Sequence, residues 1–306
     1  MSRKSVSKME RDIEDRYYAI KVALKALFDQ RLIGREREVN SHNWHFLCHD
    51  HGEDMRLYQV NAGKFIYDMS AQELADLLEA VQSILDDYLL DGGEQNLWAM
   101  DYVVAEAQRG TLEAFNNLSQ QSQVYASQTT LQQLLSSPGY LNQISAARLT
   151  TFSDWKVISD TARGDLTNII TDAVARGVNP RETASVISKR LDVSMSKAKN
   201  IAQTEQVGAL REAQWNETDW ASERLGLNTG LLHLSALKPT TRTTHAFWHG
   251  KVRTVQEVRD WYAIDGNKYH CYCSQIPVLL NDDGSIFNEG LADKLAAERK
   301  QWAKAA

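Results

Sequence analysis

The sequence predicts a mainly α fold, with helical N-terminal and central domains followed by a small α+β C-terminal domain. Most of the chain up to Trp220 has apolar residues at spacings of three and four, the period of a helix with one buried face. The stretch from Pro239 to Pro277 differs, because it concentrates polar, metal-capable side chains among Gly, Trp and Tyr. We therefore predict domains at residues 1–95, 96–220 and 221–306, and expect the helices to position the C-terminal domain.

Composition and charge limit the class of protein. A chain of 306 residues is long enough for two or three domains of about 100–200 residues. The net charge of -6 argues against a general polyanion binder, so a nucleic-acid role would need a local basic face. Three cysteines, two of them in a C-x-C pair, predict a reducing compartment rather than a disulfide framework. With no long apolar run and no signal peptide, the sequence predicts a soluble protein without a membrane segment, made in the cytoplasm.

Residues 1–37 predict a basic amphipathic helix. They contain ten Lys or Arg against six Asp or Glu, a difference of +4. The apolar stripe consists of Ile13, Tyr17, Ile20, Leu24 and Leu27. One interpretation is a basic arm that docks on a partner or on DNA, and the other is an ordinary first helix with a solvated charged face. The second is favoured, because four acidic residues between Glu10 and Asp15 interrupt the basic face.

The next segment is rich in histidine. Its metal-capable side chains are those of His42, His45, Cys48, His49 and His51. Imidazole and thiolate are preferred zinc ligands, but their spacing here matches no strong zinc motif. A strand with alternating faces explains the segment equally well. Residues 55–69 then predict two short strands around an Asn-Ala-Gly turn.

A clear helix signal begins at Ser70, which forms a capping box with Glu73. The helix behind it is predicted to stop at the Gly92-Gly93 pair, and a second helix to run over about residues 97–118. The Gln- and Ser-rich residues 119–133 predict a linker or an exposed helix.

The Pro138-Gly139 pair predicts a turn, and three consecutive helices are predicted after it. The first is expected to stop at Gly177, and the second to begin at Pro180. Ser194 or Ser196 can cap the third. Short helices with short connections predict a compact helical domain.

The C-terminal domain contains the strongest candidate site. The nitrogen and sulfur donors of His245, His270, Cys271 and Cys273 would complete a structural zinc site, which typically stabilises a unit with little core. Against this, neighbours such as His270 and Cys271 normally point to opposite sides of a strand, and C-x-C is a poorer chelating pair than C-x-x-C. The alternative is a buried polar network, with His245 paired to Arg242 or Glu257 and the cysteines packed as small apolar groups.

A catalytic interpretation has less support. Cys271 or Cys273 with His245 could form a nucleophile–base pair, or the cluster could belong to a metal-dependent hydrolase or nuclease. Asp260 and Asp265 lie in the spacer, but nothing in the sequence fixes either as an orienting carboxylate. A Mg²⁺ nuclease usually needs paired carboxylates, and no such pair stands out. We therefore predict no catalytic turnover.

Basic residues around the central helices are candidates for contact with DNA phosphates or with a partner protein. They are Lys189, Arg190, Lys197, Lys199 and Arg211. Because Glu205 and Glu212 lie nearby, the face is mixed in charge. Any non-specific DNA binding should therefore be weak and steeply salt-dependent.

An ordered set of short motifs runs through the second half of the chain. An A-x-T-E motif consists of Ala202, Thr204 and Glu205, and an R-x-x-H motif with a following glycine consists of Arg242, His245 and Gly250. After a charged spacer, the C-x-C motif consists of Cys271 and Cys273. Over roughly residues 100–280, this order resembles the phage head morphogenesis family, the minor head proteins similar to gpF of phage Mu and gp7 of phage SPP1. Two positions depart from the family pattern, since Tyr272 replaces the middle arginine of C-R-C and Lys238 lies near an expected aspartate.

The resemblance implies a structural role in phage assembly rather than an enzymatic one. It implies a virion protein in the head interior or near the portal, assembled in the host cytoplasm. The implied partners are the portal protein, a capsid or scaffolding protein and, as in some relatives, non-specific DNA. The implied tasks are head assembly, DNA packaging or genome delivery.

Overall fold

The computed structural model describes residues 3–36, 45–49, 55–59, 65–287 and 289–305. Its helices are α1 (Arg3–Arg31), α2 (Ala71–Leu89), α3 (Gly93–Asn96), α4 (Met100–Gln121), α5 (Gln123–Gln128), α6 (Leu131–Leu135), α7 (Pro138–Arg176), α8 (Pro180–Leu225), α9 (Thr243–Trp248), α10 (Val255–Ala263) and α11 (Glu289–Ala305). Its strands are β1 (Gly34–Glu36), β2 (His45–His49), β3 (Met55–Gln59), β4 (Phe65–Tyr67), β5 (Thr229–Leu234), β6 (Val252–Arg253) and β7 (Ser274–Leu279).

These elements confirm the predicted fold class, a mainly α protein with a small α+β part at the C-terminus. The chain forms two compact units, each assembled from separate segments. Unit 1 comprises Met1–Asp12, Gly92–Asp154 and Ala198–Ala306, and unit 2 comprises Ile13–Asp91 and Trp155–Lys197. The division at residues 95 and 220 stays a prediction. Within the described ranges, no helix combines the length and apolar character that crossing a bilayer demands.

The central helices are longer than the sequence patterns predicted. The expected turn at Pro138-Gly139 is wrong, because Pro138 is the first residue of α7, a position where its missing N–H costs nothing. Helix α7 runs for 39 residues and ends before Gly177, which has a φ of 66°. Helix α8 begins at Pro180 as predicted but continues for 46 residues, so the cap predicted at Ser194 or Ser196 is also wrong.

Unit 2 buries the predicted stripe of α1. Ile13, Tyr17, Ile20 and Leu24 are buried, whereas Leu27 is half-buried and Phe28 is buried beside it. The Tyr17 hydroxyl and Ser194 Oγ lie 2.7 Å apart, which explains why Ser194 does not cap a helix. Arg16 donates to the Tyr88 carbonyl at 2.7 Å. These contacts are those of an ordinary core helix with a charged outer face.

Helix α2 of unit 2 confirms the predicted start signal. The Ser70 side chain accepts from the Glu73 backbone, and the Glu73 carboxylate accepts from the Ser70 backbone at 2.8 Å, so the capping box is complete. The buried face of the helix consists of Leu77, Val81, Leu85 and Leu89. The helix ends at Leu89, just before the predicted Gly92-Gly93 stop.

Two short antiparallel pairs form from residues 34–67. Strand β1 pairs with β4 and strand β2 pairs with β3. The two short strands predicted within residues 55–69 are confirmed as β3 and β4, and the predicted Asn-Ala-Gly turn between them lies outside the described residues. Strand β2 confirms a strand in the histidine-rich segment, although His42 and His51 of the zinc alternative lie outside the described residues.

In unit 1, helices α4 and α8 pack closely at Gly110. A Cβ at Gly110 would lie 2.3 Å from the Leu210 carbonyl oxygen and 2.9 Å from Ala213 Cβ, so only glycine fits. Residues 119–133, predicted as a linker or an exposed helix, contain α5 and the first residues of α6, so the helical alternative is confirmed. Tyr125 of α5 is fully buried, because it packs against Phe115 and Trp220.

The C-terminal part of unit 1 forms a three-stranded antiparallel sheet in the order β6-β5-β7. Leu231 pairs with Pro277, and Leu232 pairs with both Val252 and Ile276. Helix α9 precedes β6, helix α10 follows it, and α11 packs where Gly250 (φ 74°) approaches Leu295. The segment that precedes β7 carries both cysteines of the C-x-C motif. The sheet therefore presents these cysteines next to α9 and α10.

Candidate functional site: a buried His/Cys centre and an adjacent groove

One imidazole and two thiols form a compact centre in unit 1. Their possible ligand atoms, one each from His245, Cys271 and Cys273, all lie within 4.8 Å of one another. His245 Nδ1 is 3.3 Å from Cys271 Sγ and 3.5 Å from Cys273 Sγ. The three side chains are between 2% and 4% exposed. The structure thus brings together three of the four residues proposed for the zinc site.

The fourth residue, His270, lies outside this centre. Its side chain is exposed, and its backbone φ of 52° turns the chain between it and Cys271. His270 is therefore exposed in a turn, whereas Cys271 next to it is buried.

A hydrogen bond from Asn267 fixes the orientation of the His245 ring. Asn267 Oδ1 lies 3.2 Å from His245 Nε2, and Asn267 Nδ2 donates to the Trp261 carbonyl at 2.8 Å. The amide oxygen can only accept, so the imidazole proton belongs on Nε2 and the lone pair on Nδ1 faces the two sulfur atoms. Trp261 also packs edge-on against the ring, with centroids 4.5 Å apart.

Arg242 holds the loop that carries Asn267. Its guanidinium donates to the carbonyls of Gly266, Asn267 and Tyr269 at 3.1, 3.2 and 2.7 Å. The pairing of His245 with Arg242 or Glu257, expected for a purely polar network, is not formed. Glu257 instead caps α10 through Thr254.

Arg211 connects α8 to the C-x-C segment. Its side chain is 1% exposed, and it donates to the Cys271 carbonyl at 3.0 Å and to the Cys273 carbonyl at 2.9 and 2.7 Å. The guanidinium also lies over the Tyr262 ring, 4.4 Å from its centroid. The assignment of Arg211 to DNA phosphates is therefore wrong, because the side chain is buried and its donors are used inside the protein.

A further buried network surrounds the centre. Gln275 Nε2 donates to His233 Nδ1 at 3.0 Å and to the Tyr262 hydroxyl at 3.1 Å, while Gln275 Oε1 accepts from Trp215 Nε1 at 3.1 Å. Burial lowers the pKa of His233 to about 3, so its imidazole is neutral. Tyr262 completes the network, with its hydroxyl 3.7 Å from Cys271 Sγ.

The two thiols influence each other's ionisation. The pKa of Cys271 is lowered, because the Cys273 thiol donates to it and because the positive charge of Arg211 favours the thiolate. The pKa of Cys273 is raised by that same hydrogen bond and by burial. The centre therefore favours a shared negative charge on its sulfur atoms.

Cys271, His245 and Asn267 also have the order of a nucleophile, its base and an orienting amide. The orienting group expected from the sequence was a carboxylate such as Asp260 or Asp265, and the structure has the amide of Asn267 there instead. The imidazole and both cysteines are almost fully buried, which restricts the access of a substrate to the thiol. The arrangement suits a metal ion or a structural role better than turnover.

The remaining basic candidates are divided between the two units. Lys189, Arg190 and Lys197 belong to unit 2, and Lys199 belongs to unit 1. Lys189 and Lys197 are exposed. Arg190 donates to both carboxylate oxygens of Asp165 at 2.7 and 2.8 Å, so its charge is already matched.

The A-x-T-E motif lies in α8 beside an open groove of unit 1, which we call the α7/α8 groove. It has a volume of about 630 Å³ and lies between the first part of α7 and the motif segment of α8. Ala202 is buried, Thr204 Oγ1 donates to the Asn200 carbonyl at 2.9 Å, and Glu205 lines the groove with both carboxylate oxygens buried. Lys268, from the loop beside the His/Cys centre, lines the groove as well.

Fold and site together define a mainly α protein whose long helix carries a signature motif and anchors a buried His/Cys centre. The profile of the family described as Phage Mu protein F like protein matches residues 165–276. That range includes the A-x-T-E motif, Arg242, His245, Gly250 and both cysteines, and it confirms the resemblance to the phage head morphogenesis family for this segment. No curated protein and no solved structure gives a significant match.

Proposed function

We propose that the chain is a minor head protein that docks on the portal or procapsid during head assembly and has no catalytic turnover. It would be located in the virion, in the head interior or near the portal, and would support assembly, DNA packaging or genome delivery. The family match over residues 165–276 supports a role in the phage head. The α7/α8 groove supports docking, because it leaves one face of a signature helix open to a partner.

The first part of α7 has few partners within the protein. No residue from 138 to 150 is buried, although the same helix buries Trp155, Ile158 and Leu166 further along. Leu141 and Leu149 are 53% and 60% exposed. Helices gain most of their stability from burying an apolar face, so a helical segment without a buried residue is well suited to gain one from a partner.

The walls of the α7/α8 groove suit another helix. Small residues occur on both sides, Gly139, Ala146 and Ala147 on α7 and Gly208 and Ala209 on α8. Small side chains allow the backbone of a third helix to come close, as Gly110 allows for α4 and α8. Gln143 bridges the two walls, since its side chain donates to the Ala209 carbonyl at 3.3 Å and accepts from Asn216 at 3.1 Å.

The charge of the groove selects the kind of helix. Asp154, Glu205 and Glu212 line it, and Lys268 is the single basic residue among the lining residues, while Glu212 is also paired with Arg259 at 3.2 Å. Burial raises the pKa of Asp154, which is the effect expected of a carboxylate that lacks a full counter-charge. We therefore propose that the occupant is a basic amphipathic helix of the portal protein or of a capsid or scaffolding protein.

Mass spectrometry of purified virions and of empty procapsids, with copy number measured relative to portal, tests the head assignment. We expect a few copies per particle, up to about one per portal subunit. Absence from both particles would overturn the assignment whatever the groove does.

Two tryptophan substitutions in α7 test the groove. Ala147→Trp fills the groove, whereas Ser145→Trp places the same side chain at an exposed position of that helix outside the groove. In particles complemented with each variant, we expect Ala147→Trp to lower the copy number and Ser145→Trp to leave it unchanged. Circular dichroism should show that both variants are folded. Equal incorporation of the two folded variants would overturn docking through the groove while leaving the head assignment intact.

A further inference from the structure

We infer that His245, Cys271 and Cys273 bind one zinc ion, with His270 outside the coordination sphere. This inference does not rest on the docking proposal, because the three ligand atoms are buried inside unit 1 and line no part of the α7/α8 groove.

The donor set selects the metal. Two thiolates and an imidazole suit Zn²⁺, whereas Mg²⁺ and Ca²⁺ require oxygen ligands. In a tetrahedral zinc site with Zn–S near 2.3 Å and Zn–N near 2.05 Å, nitrogen and sulfur lie about 3.6 Å apart. The separations of His245 Nδ1 from the two sulfur atoms, 3.3 and 3.5 Å, are close to that value. Little movement is therefore needed to admit the ion.

The surroundings orient the ligands as metal sites require. Asn267 Oδ1 accepts from His245 Nε2, which leaves Nδ1 free to coordinate. A ligand histidine in a metal site commonly donates its second ring N–H in this way, and the partner fixes both the tautomer and the ring. The Cys273 N–H points to Cys271 Sγ at 3.4 Å, a contact that favours the thiolate.

Arg211 provides the electrostatic reason for thiolates at this place. It is buried, and among the described residues it forms no ion pair with a carboxylate, since its bonds go to carbonyl oxygens. A buried cation without an acidic partner favours negative charge on nearby groups, here the sulfur atoms. Zinc binds cysteine only as thiolate, so Arg211 is a positioning residue that also lowers the cost of deprotonation.

Three protein ligands leave the fourth position of a tetrahedral ion to a water molecule. An open fourth position is otherwise typical of catalytic zinc, but here the burial of all three ligands favours a structural role for the ion. It would join α9, through His245, to the segment before β7, which Arg211 already ties to α8. The ion would thus hold the C-terminal sheet against the signature helix.

Metal analysis of the full-length protein, purified without chelators or a histidine tag, tests the inference. We expect about one zinc ion per chain by mass spectrometry of the metal content. Cobalt substituted for zinc should give the sulfur-to-cobalt charge-transfer absorption of thiolate ligation. A strong chelator should remove the ion and lower the unfolding temperature.

Matched variants separate ligands from neighbours. Cys271→Ser and Cys273→Ser should lose stoichiometric zinc, whereas His270→Asn, which tolerates the positive φ at that position, should keep it. Asn267→Ala should weaken zinc affinity by about 10–100-fold, and Asn267→Asp, which keeps the acceptor, should restore it. This rescue would not be expected if Asn267 only filled space.

Two outcomes would overturn zinc binding itself, and both are read on the unaltered protein, so neither depends on a variant that folds. The first is the absence of bound zinc together with no saturable binding of added Zn²⁺ or Co²⁺. The second is a disulfide between Cys271 and Cys273, seen as a loss of two hydrogens in the peptide mass and of two reactive thiols under reducing purification. Loss of zinc in His270→Asn would overturn the three-residue ligand set.

Discussion

At the scale of single residues, Arg211 was expected to contact DNA phosphates, but its side chain is buried and donates to carbonyl oxygens inside the protein. The sequence placed it on a basic face near phosphates, because lysines and arginines recur around it. In the folded protein its side chain extends from α8 to the Tyr262 ring and to the backbone of the C-x-C segment. Nothing local in the sequence marks this, since the residues it contacts lie about sixty positions away.

Replacing Arg211 should be costly for stability. Arg211→Met removes its donated bonds and leaves the carbonyls of Cys271 and Cys273 buried without these donors. Loss of such charged hydrogen bonds in the interior should cost about 3 kcal/mol or more of unfolding free energy. Arg224→Met, at an exposed position of the same helix, is the control and should leave the denaturation midpoint unchanged. Equal midpoints for both variants would contradict the assigned role.

Glu217 should make stability depend on pH. Burial raises its pKa from 4.5 to about 7, and the Tyr125 hydroxyl donates to its carboxylate. In the unfolded chain the Glu217 carboxyl loses its proton near pH 4.5, whereas in the folded protein it keeps the proton up to about pH 7. The contribution of protonated Glu217 to stability is therefore fully present below pH 4.5 and is lost as the pH rises through about 7. The change amounts to about 3 kcal/mol.

The substitution Glu217→Gln tests this dependence, because it keeps an acceptor for Tyr125 but cannot ionise. We expect denaturant unfolding to give similar stabilities for variant and wild type at pH 4.5 and a more stable variant at pH 8. If the stability of the wild type relative to Glu217→Gln is the same at pH 4.5 and at pH 8, the pKa of Glu217 is not raised in the folded protein.

The candidate centre was partly predictable at this scale. Ligand chemistry and motif order indicated His245, Cys271 and Cys273. His270 was included because it is adjacent in sequence, and its positive φ could not be read from the residues around it. Asn267 was missed, since a single asparagine in a Gly- and Lys-containing loop has no pattern that distinguishes an orienting amide from a turn residue.

At the scale of secondary-structure elements, helix boundaries were predicted well where a cap or a glycine is decisive. The Ser70 cap, the stop before Gly177 and the start at Pro180 are all confirmed. The helix start predicted at Ser194 or Ser196 is wrong, because α8 continues through both residues. Serine can cap a helix or sit inside one, and here Ser194 bonds to Tyr17 while Ser196 bonds back to the Asp192 carbonyl, so the helix continues.

The crossing of α4 and α8 gives a test at the element scale. Gly110→Ala should destabilise the protein by about 1–3 kcal/mol, because the new methyl group overlaps the Leu210 carbonyl and Ala213. Gly208→Ala is the matched control within α8, since nothing lies within 4 Å of its added Cβ. It should stabilise the helix by about 0.5–1 kcal/mol. Chemical denaturation of the two variants should therefore shift in opposite directions, and a shift in the same direction would contradict the close crossing.

At the scale of the whole molecule, the fold class was predictable from the sequence, whereas the strand pairings and the division into units 1 and 2 were not. Helical periodicity and the change of composition near residue 220 were enough to predict a mainly α protein with a small α+β end. The strand pairings β1-β4 and β2-β3 were missed, because pairing depends on contacts distant in sequence. The discontinuous composition of units 1 and 2 follows from such contacts as well.

Whole-molecule charge predicts weak DNA binding. The net charge is -6, Arg211 is buried and Arg190 is paired with Asp165, which leaves Lys189 and Lys197 as exposed basic candidates in unit 2. Two phosphate contacts give a logarithmic salt slope of about -2, so affinity for a short duplex should fall about tenfold between 50 and 200 mM salt. Fluorescence anisotropy can measure this slope, and Lys189→Gln with Lys197→Gln should bring it close to zero. Tight binding that persists at physiological salt would require a basic surface other than this one.

The way Arg211 contacts the C-x-C segment has a consequence for sequence divergence. Its donors reach the main-chain oxygens of Cys271 and Cys273, which every amino acid supplies, and the side chain between them takes no part. Tyr272 is half-buried, with Lys238 Nζ 3.5 Å from its ring centroid. The middle position can therefore drift, from the arginine of the family pattern to the tyrosine here, without disturbing the centre. Hydrogen bonds from Arg211 to their carbonyl oxygens hold the two cysteines in place. The residue between them is constrained by its contacts at the surface rather than by the centre.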